Sequence, residues 1–266
     1  IIFVQSNLNS FVYFLMFGIC ILSIVPVRKN RDDKSEMISQ LLYGDLYEVI
    51  EKKDKWLLIK TVFDNYKGWI DNKQFLEIKS EDLFNQLIKN ESYSLDLINY
   101  VETLNKELIP IILGSNIGVS SQIKHIFDGE FSNKIRTRKD IIETSRLYMN
   151  APYLWGGKTP FGIDCSGLSQ MVYKINGYKI PRDAKDQVNL GVNLGFIEES
   201  KEGDLAFFDN DEGEITHVGI LLKNNYIIHA SGQVKIDRID QTGIYDLKKK
   251  KHTHKLRTIK NIIDSN

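Results

Sequence analysis

Cys165, His217 and His229 have the residue types and local settings for nucleophilic acyl chemistry. The stretch from Tyr153 to Ile175 passes through a glycine-rich loop (Gly156, Gly157, Gly162) and then an apolar recurrence at Leu168, Val172 and Ile175. Asp164 reads as the N-cap of a helix and Cys165 as its first residue. A thiol there meets unpaired backbone N–H groups and the positive pole of the helix dipole, which lower its pKa towards the reactive thiolate. Most lone cysteines are small buried apolar side chains, so catalysis also requires a base.

The chain has five histidines. His125 stands alone in a weakly patterned region and reads as structural or surface. His252 and His254 flank the lysine run at residues 248–251 and read as an exposed turn; their spacing would also suit a metal. His217 and His229 lie among apolar neighbours, in Thr216-His217-Val218-Gly219-Ile220 and Tyr226-Ile227-Ile228-His229-Ala230. If the hairpin loop is Lys223-Asn224-Asn225, Tyr226 pairs with Leu222 and His229 falls opposite Gly219. Side chains alternate along a strand, so His229 then lies diagonally beside His217, over a glycine that leaves room for its ring. A two-residue loop would put the imidazoles on opposite faces. In the odd-length register His217 takes the thiol proton, giving an ion pair, and later protonates the leaving amine. His229 orients it as the third member of a triad. The Cys165 N–H and the Tyr153 hydroxyl are candidate oxyanion donors.

These residues must be positioned by an α+β unit over residues 137–262. A helix is expected from about Thr137 to Asn150, and strands at 204–208, 216–222, 226–230 and 254–258. Ahead of it, residues 18–79 show short strands and turn signals suited to a small SH3-like β-barrel. Residues 80–136 are a second SH3-like unit or a linker, with strands at 92–103 and 108–113. Residues 11–25 are an apolar run. It fits the hydrophobic region of a secretory signal, with residues 1–17 as its remnant, or a first strand over 18–27 stopped by Pro26 and Arg28. No Lys or Arg precedes it, which counts against the signal. The two readings correspond to different bacterial compartments, periplasmic or cytoplasmic. The run is too short for a stable membrane span.

Lys+Arg and Asp+Glu both total 35, so no net charge draws the chain to nucleic acid or an anionic surface. The two cysteines, Cys20 and Cys165, cannot make a disulfide framework, and neither sits in a zinc-binding pattern. Nothing calls for a metal, nucleotide or organic cofactor. Cys20 is expected to be an inert buried thiol.

Residues 140–260 resemble the NlpC/P60 family of cell-wall cysteine peptidases. The matching pieces are Tyr153-x-Trp155-Gly156-Gly157, Asp164-Cys165-Ser166-Gly167-Leu168, Gly203-Asp204-Leu205, His217-Val218-Gly219-Ile220 and Ile228-His229-Ala230. The resemblance implies a papain-like α+β core, with the cysteine on a helix and the histidines on the sheet. Asp64-Asn65-Tyr66-Lys67-Gly68-Trp69-Ile70 and Ser35-Glu36-Met37 look like the SH3-like domain of γ-D-glutamyl-L-diamino-acid endopeptidases, the dipeptidyl-peptidase VI group. That implies release of L-Ala-γ-D-Glu from murein peptides whose L-Ala amine is free. It places Glu36, Tyr66 and Asp183 near the substrate ammonium, and Trp155 and Ser166 along the cleft. Arg182 either pairs with the D-Glu α-carboxylate or makes a structural salt bridge. Relatives often carry serine where this chain has Ala184. The competing functions are an endopeptidase on intact peptidoglycan and a non-catalytic wall-binding protein.

Overall fold

The computed structural model describes residues 16–265; the apolar run before residue 16 lies outside them. Seven antiparallel strands come first, at Met16–Ile19, Ile24–Arg28, Met37–Leu42, Leu46–Lys53, Trp56–Thr61, Lys67–Asp71 and Leu76–Ile78. The strand expected over residues 18–27 is in fact two. Residues 20–23 turn between them, and Pro26 and Arg28 lie within the second strand. Proline cannot donate to a ladder, and it is tolerated here because the strand pairs along its length on one side, whereas on the other Lys67–Asp71 meets it at Arg28. Cys20, Val25, Val27, Tyr47, Leu57 and Ile59 pack together beneath the sheet. Burial pushes the Cys20 thiol up to about 12, and it donates to the Leu22 carbonyl at 3.3 Å.

Helix α1, Glu81–Lys89, is capped by Ser80, whose hydroxyl accepts from the Leu83 N–H. After it come a three-stranded sheet (Ile98–Glu102, Leu108–Ile112, Ile126–Phe127) and a two-stranded one (Tyr93–Ser94, Phe131–Ser132). These elements share a core with the first sheet, Phe84, Leu87, Val101 and Ile111 packing with Phe17, Ile19 and Tyr43. Gly44 makes the junction close: with φ +82°, a Cβ there would lie 1.9 Å from the Asn116 carbonyl oxygen.

The last part of the chain carries α2 (Arg138–Leu147), α3 (Cys165–Ile175) and α4 (Ala184–Gln187). Thr137 and Asp140 form a capping box at the start of α2. The sheet runs in the order Val192–Leu194, Lys251–Asn261, Leu205–Asp209, Ile215–Leu222, Tyr226–Ser231, Gln233–Ile239, Gly243–Asp246. Gly243–Asp246 also pairs with Lys251–Asn261, which closes six of these strands into a barrel. Closure leaves those strands without a free edge.

Helix α3 packs against Ile215–Leu222 and Tyr226–Ser231. Every one of its residues is buried, not only the expected stripe of Leu168, Val172 and Ile175. Its polar side is covered by the first sheet. Lys174 donates to Asp45 at 2.7 Å and lies over the Phe63 and Tyr93 rings, while Gln170 donates to Asp64 at 2.7 Å. Among the described residues, no helix is long and apolar enough to cross a membrane.

Candidate active site

The loop before α3 is shaped by close backbone contacts. Gly156, at φ +76°, donates its N–H to Asp164, and a Cβ there would lie 2.3 Å from the Met37 carbonyl oxygen. Gly167 faces the Gly157 carbonyl oxygen, 2.4 Å from where its Cβ would stand. Asp164 caps α3 by accepting from the Gly167 N–H at 2.6 Å. That fixes Cys165 as the first helical residue, 7% exposed.

The electrostatics differ from the helix-terminus expectation. Burial pushes the Cys165 thiol up to about 12, and the neighbouring Asp164 charge adds to the rise. The N–H groups of Val218 and Ser166 and the Arg182 guanidinium pull the other way without prevailing. Burial holds His217 well below the usual imidazole range, with His229 and His254 contributing. Burial thus works against the charged form of both the thiol and the imidazole.

The hairpin has the odd-length loop. Leu222 pairs with Tyr226 and Ile220 with Ile228, while Asn224 and Asn225 take φ of 60° and 58°. His217 Nε2 lies 2.9 Å from His229 Nδ1, and the rings meet edge to face. With Nε2 so engaged, Nδ1 is the His217 nitrogen outside that contact.

A cleft of about 580 Å³ opens over Cys165. The first sheet and its loops supply Lys29, Glu36, Ile38 and Tyr66; the last part of the chain supplies Trp155, Asp164, Cys165, Ser166, Asp183 and Thr216. Glu36 accepts from Trp155 Nε1 at 2.8 Å and from Lys29 at 3.0 Å, and these hydrogen bonds hold its carboxyl below the usual range. Tyr66 donates its hydroxyl to Asp183, 3.2 Å and 3.3 Å from the two carboxylate oxygens. Asp183 precedes α4 but makes no side-chain cap; its half-buried carboxyl is pushed up by burial. Tyr153 is at the same site, its hydroxyl pushed up to about 12 by burial and then by Cys165 and Asp164.

Residues 150–255 match the model of the NlpC/P60 family, and residues 27–75 that of the bacterial dipeptidyl-peptidase SH3 domain. The chain carries an NlpC/P60 domain. It is 28% identical over 214 residues to the gamma-D-glutamyl-L-lysine dipeptidyl-peptidase of Bacillus subtilis (strain 168), covering 72% of this chain and 71% of that one. It is 26% identical over 260 residues to dipeptidyl-peptidase 6 of Lysinibacillus sphaericus, covering 85% and 93%. The crystal structure of an NlpC/P60 family protein from Bacillus cereus ATCC 10987 superposes with a TM-score of 0.76 at 17% identity, over 93% of this chain and 99% of that one.

Of the two roles open to Arg182, the structure has the salt bridge: it is 1% exposed and grips Asp164. One sequence expectation within the NlpC/P60 domain needs correction. His254 does not sit in an exposed turn. It lies in the strand Lys251–Asn261, partly buried and stacked on His217 with ring centroids 4.3 Å apart. His252 is exposed and pairs with Asp240 at 2.9 Å. The sequence reading missed Asp237, whose carboxylate lies 3.1 Å from His229 Nε2. A period-two signal was available, since Asp237, two residues beyond Lys235, points to the same sheet face.

Proposed function

We propose that this NlpC/P60 cysteine peptidase hydrolyses the bond between γ-D-Glu and an L-diamino acid in murein peptides bearing a free N-terminal L-Ala, releasing L-Ala-γ-D-Glu. The observation that carries the reading is the acidic end of the cleft. Glu36, Tyr66 and Asp183 come from both parts of the chain and line the same cleft as Cys165. A free amine is a cation, and a partly buried carboxylate prefers it to a blocked, neutral chain end. Asp183, pushed up by burial, gains most from such a partner. The name of the Bacillus subtilis relative supports the same bond, and that of the Lysinibacillus sphaericus relative supports dipeptide release.

In this reading the Cys165 Sγ attacks the γ-carbonyl of D-Glu while His217 Nδ1 takes the thiol proton. The oxyanion accepts from the Cys165 backbone N–H, with the Tyr153 hydroxyl beside it. Collapse expels the diamino-acid amine, which receives the proton from His217. Water, deprotonated by the same imidazole, then hydrolyses the thioester and restores the thiol. Trp155 and Ser166 line the peptide's path, and Asp164 holds Cys165 in place.

Incubation with L-Ala-γ-D-Glu-L-Lys and its N-acetylated counterpart, followed by mass spectrometry, tests the proposal. Release of L-Ala-γ-D-Glu from the free tripeptide alone is expected. Equal cleavage of both points to an endopeptidase on intact wall, and cleavage of neither overturns the assignment.

A further inference from the structure

Behind His229 the hydrogen bonding continues. His229 Nε2 lies 3.1 Å from Asp237 Oδ2. Lys235 Nζ sits 2.8 Å from the same oxygen and 3.1 Å from Asp246 Oδ2. All of these except Lys235 are buried, His229 completely. His254 packs edge-on against His229 at 5.6 Å between centroids. Neither Asp237 nor Lys235 lines the cleft, so neither is a substrate contact.

The chemistry of the donors assigns the protons. A carboxylate can only accept, so His229 carries its proton on Nε2 and gives it to Asp237. His229 Nδ1 is then a bare acceptor, and the 2.9 Å contact requires the proton on His217 Nε2. His217 Nδ1 is left with its lone pair, the form a base must have. Burial alone would push Asp237 up, but hydrogen bonds from His229 and Lys235 prevail and hold it below the usual carboxylate range. Desolvation pushes the other way on Lys235, but its bonds to Asp237 and Asp246 raise it, so the cation stays charged.

We propose that Asp237 is a positioning residue of the catalytic relay: through His229 it fixes the tautomer of His217 and stabilises the imidazolium that forms when Cys165 loses its proton. Lys235, itself held by Asp246, clamps the Asp237 carboxylate. The relay therefore runs Cys165, His217, His229, Asp237, and the last member acts without touching the substrate. When His217 becomes a cation, the Asp237 charge offsets it across His229, a balance that the neutral His254 stacked on His217 cannot supply. The inference rests on the proposed peptidase chemistry for its turnover readout only.

The test uses the full chain, with Asp237→Asn, Asp237→Glu and Lys235→Gln. Asparagine is isosteric but uncharged and can turn its NH2 towards His229, forcing the wrong tautomer on both rings. Turnover of the free tripeptide by Asp237→Asn is expected to fall about 10²-fold in kcat with little change in KM, the scale of a compromised general base. Independently of any peptide, alkylation of the Cys165 peptide by iodoacetamide, followed by mass spectrometry, is expected to slow about tenfold at pH 7, with its pH profile displaced upward. Asp237→Glu restores part of both, and Lys235→Gln gives a smaller loss of both. An unchanged alkylation profile in folded Asp237→Asn overturns the proposal. So does a loss that merely tracks the unfolded fraction by thermal melting. If Asp237→Asn does not fold, an unchanged profile in Lys235→Gln overturns it instead. If the wild type alkylates as described but cleaves no murein peptide, the substrate assignment fails and the relay stands.

Discussion

Arg182 holds both carboxylate oxygens of Asp164, the residue that precedes the nucleophile candidate, at 2.9 Å and 2.6 Å. The same guanidinium also donates to Ser166 at 2.9 Å. Removing it leaves a buried carboxylate with no counter-charge, beside a thiol that already suffers from that carboxylate's charge. Arg182→Met is expected to lower stability by about 3–5 kcal/mol, measured by urea unfolding. Arg182→Lys recovers only part of this, because an ammonium cannot make the two-pronged contact. A small stability change with a large rise in KM would mean that Arg182 does meet the substrate's carboxylate.

Tyr66 crosses from the SH3 domain to reach Asp183 in the NlpC/P60 domain. If this pair receives the substrate ammonium, the charge on Asp183 matters more than the hydroxyl. Asp183→Asn is expected to reduce kcat/KM for the free-amine tripeptide by 10- to 100-fold, in line with about 1.5–3 kcal/mol for a charged hydrogen bond. Tyr66→Phe costs less, and the residual rate on the N-acetylated peptide stays where it was. Equal losses on both peptides would remove Asp183 from amine selection.

The parts of the site that were legible in the sequence are those set by local rules. Asp164 before an apolar recurrence marks a cap, and the cap puts Cys165 at the helix start whatever the rest of the chain does. The odd loop Lys223-Asn224-Asn225 is the length that sets His229 beside His217, and Asn224 and Asn225 take the positive φ found there. What stayed hidden depends on partners far away in sequence. Asp237 looks like any polar residue in an alternating strand until the sheet brings it to His229. His254 follows a lysine run that reads as solvent-facing, and it turns inward because the strand Gly243–Asp246 pairs back onto Lys251–Asn261. The thiol's surroundings divide in the same way: the helix terminus is visible in the sequence, the burial that pushes the thiol up is not.

Acid should destabilise this fold through its imidazoles. Burial holds His217, His229 and His254 below the ordinary value of 6.5, His254 at about 4. Over that interval the unfolded chain binds more protons than the folded one, so stability falls as pH drops from 6.5 towards 4. Asp183 and Asp204, both pushed up by burial, oppose this and soften the net slope. The contribution of His254 is isolated by His254→Phe, which keeps a ring stacked on His217. Its thermal midpoint is expected to decline less than that of the wild type across this interval. Parallel curves for the two proteins would show that His254 titrates normally in the folded state.

Gly219 provides the space in which His229 sits. A Cβ there would lie 2.7 Å from Ile227 Cδ1, 2.8 Å from Ile227 Cγ1 and 3.0 Å from His229 Cβ. The first two contacts are with a side chain that can move, whereas the third is with the root of the imidazole itself. Gly219→Ala is expected to cost about 1–3 kcal/mol of stability, the usual scale of overpacking. Displacing His229 lengthens its contact with His217, so kcat falls as well. Adding Ile227→Ala removes the two contacts with the movable side chain and leaves the one with His229. The double variant should therefore regain rigidity around the hairpin without regaining rate, as read from peptide turnover. If turnover returns together with stability, the single variant's defect lies in packing around Ile227, and the placement of His229 over the glycine has no bearing on catalysis.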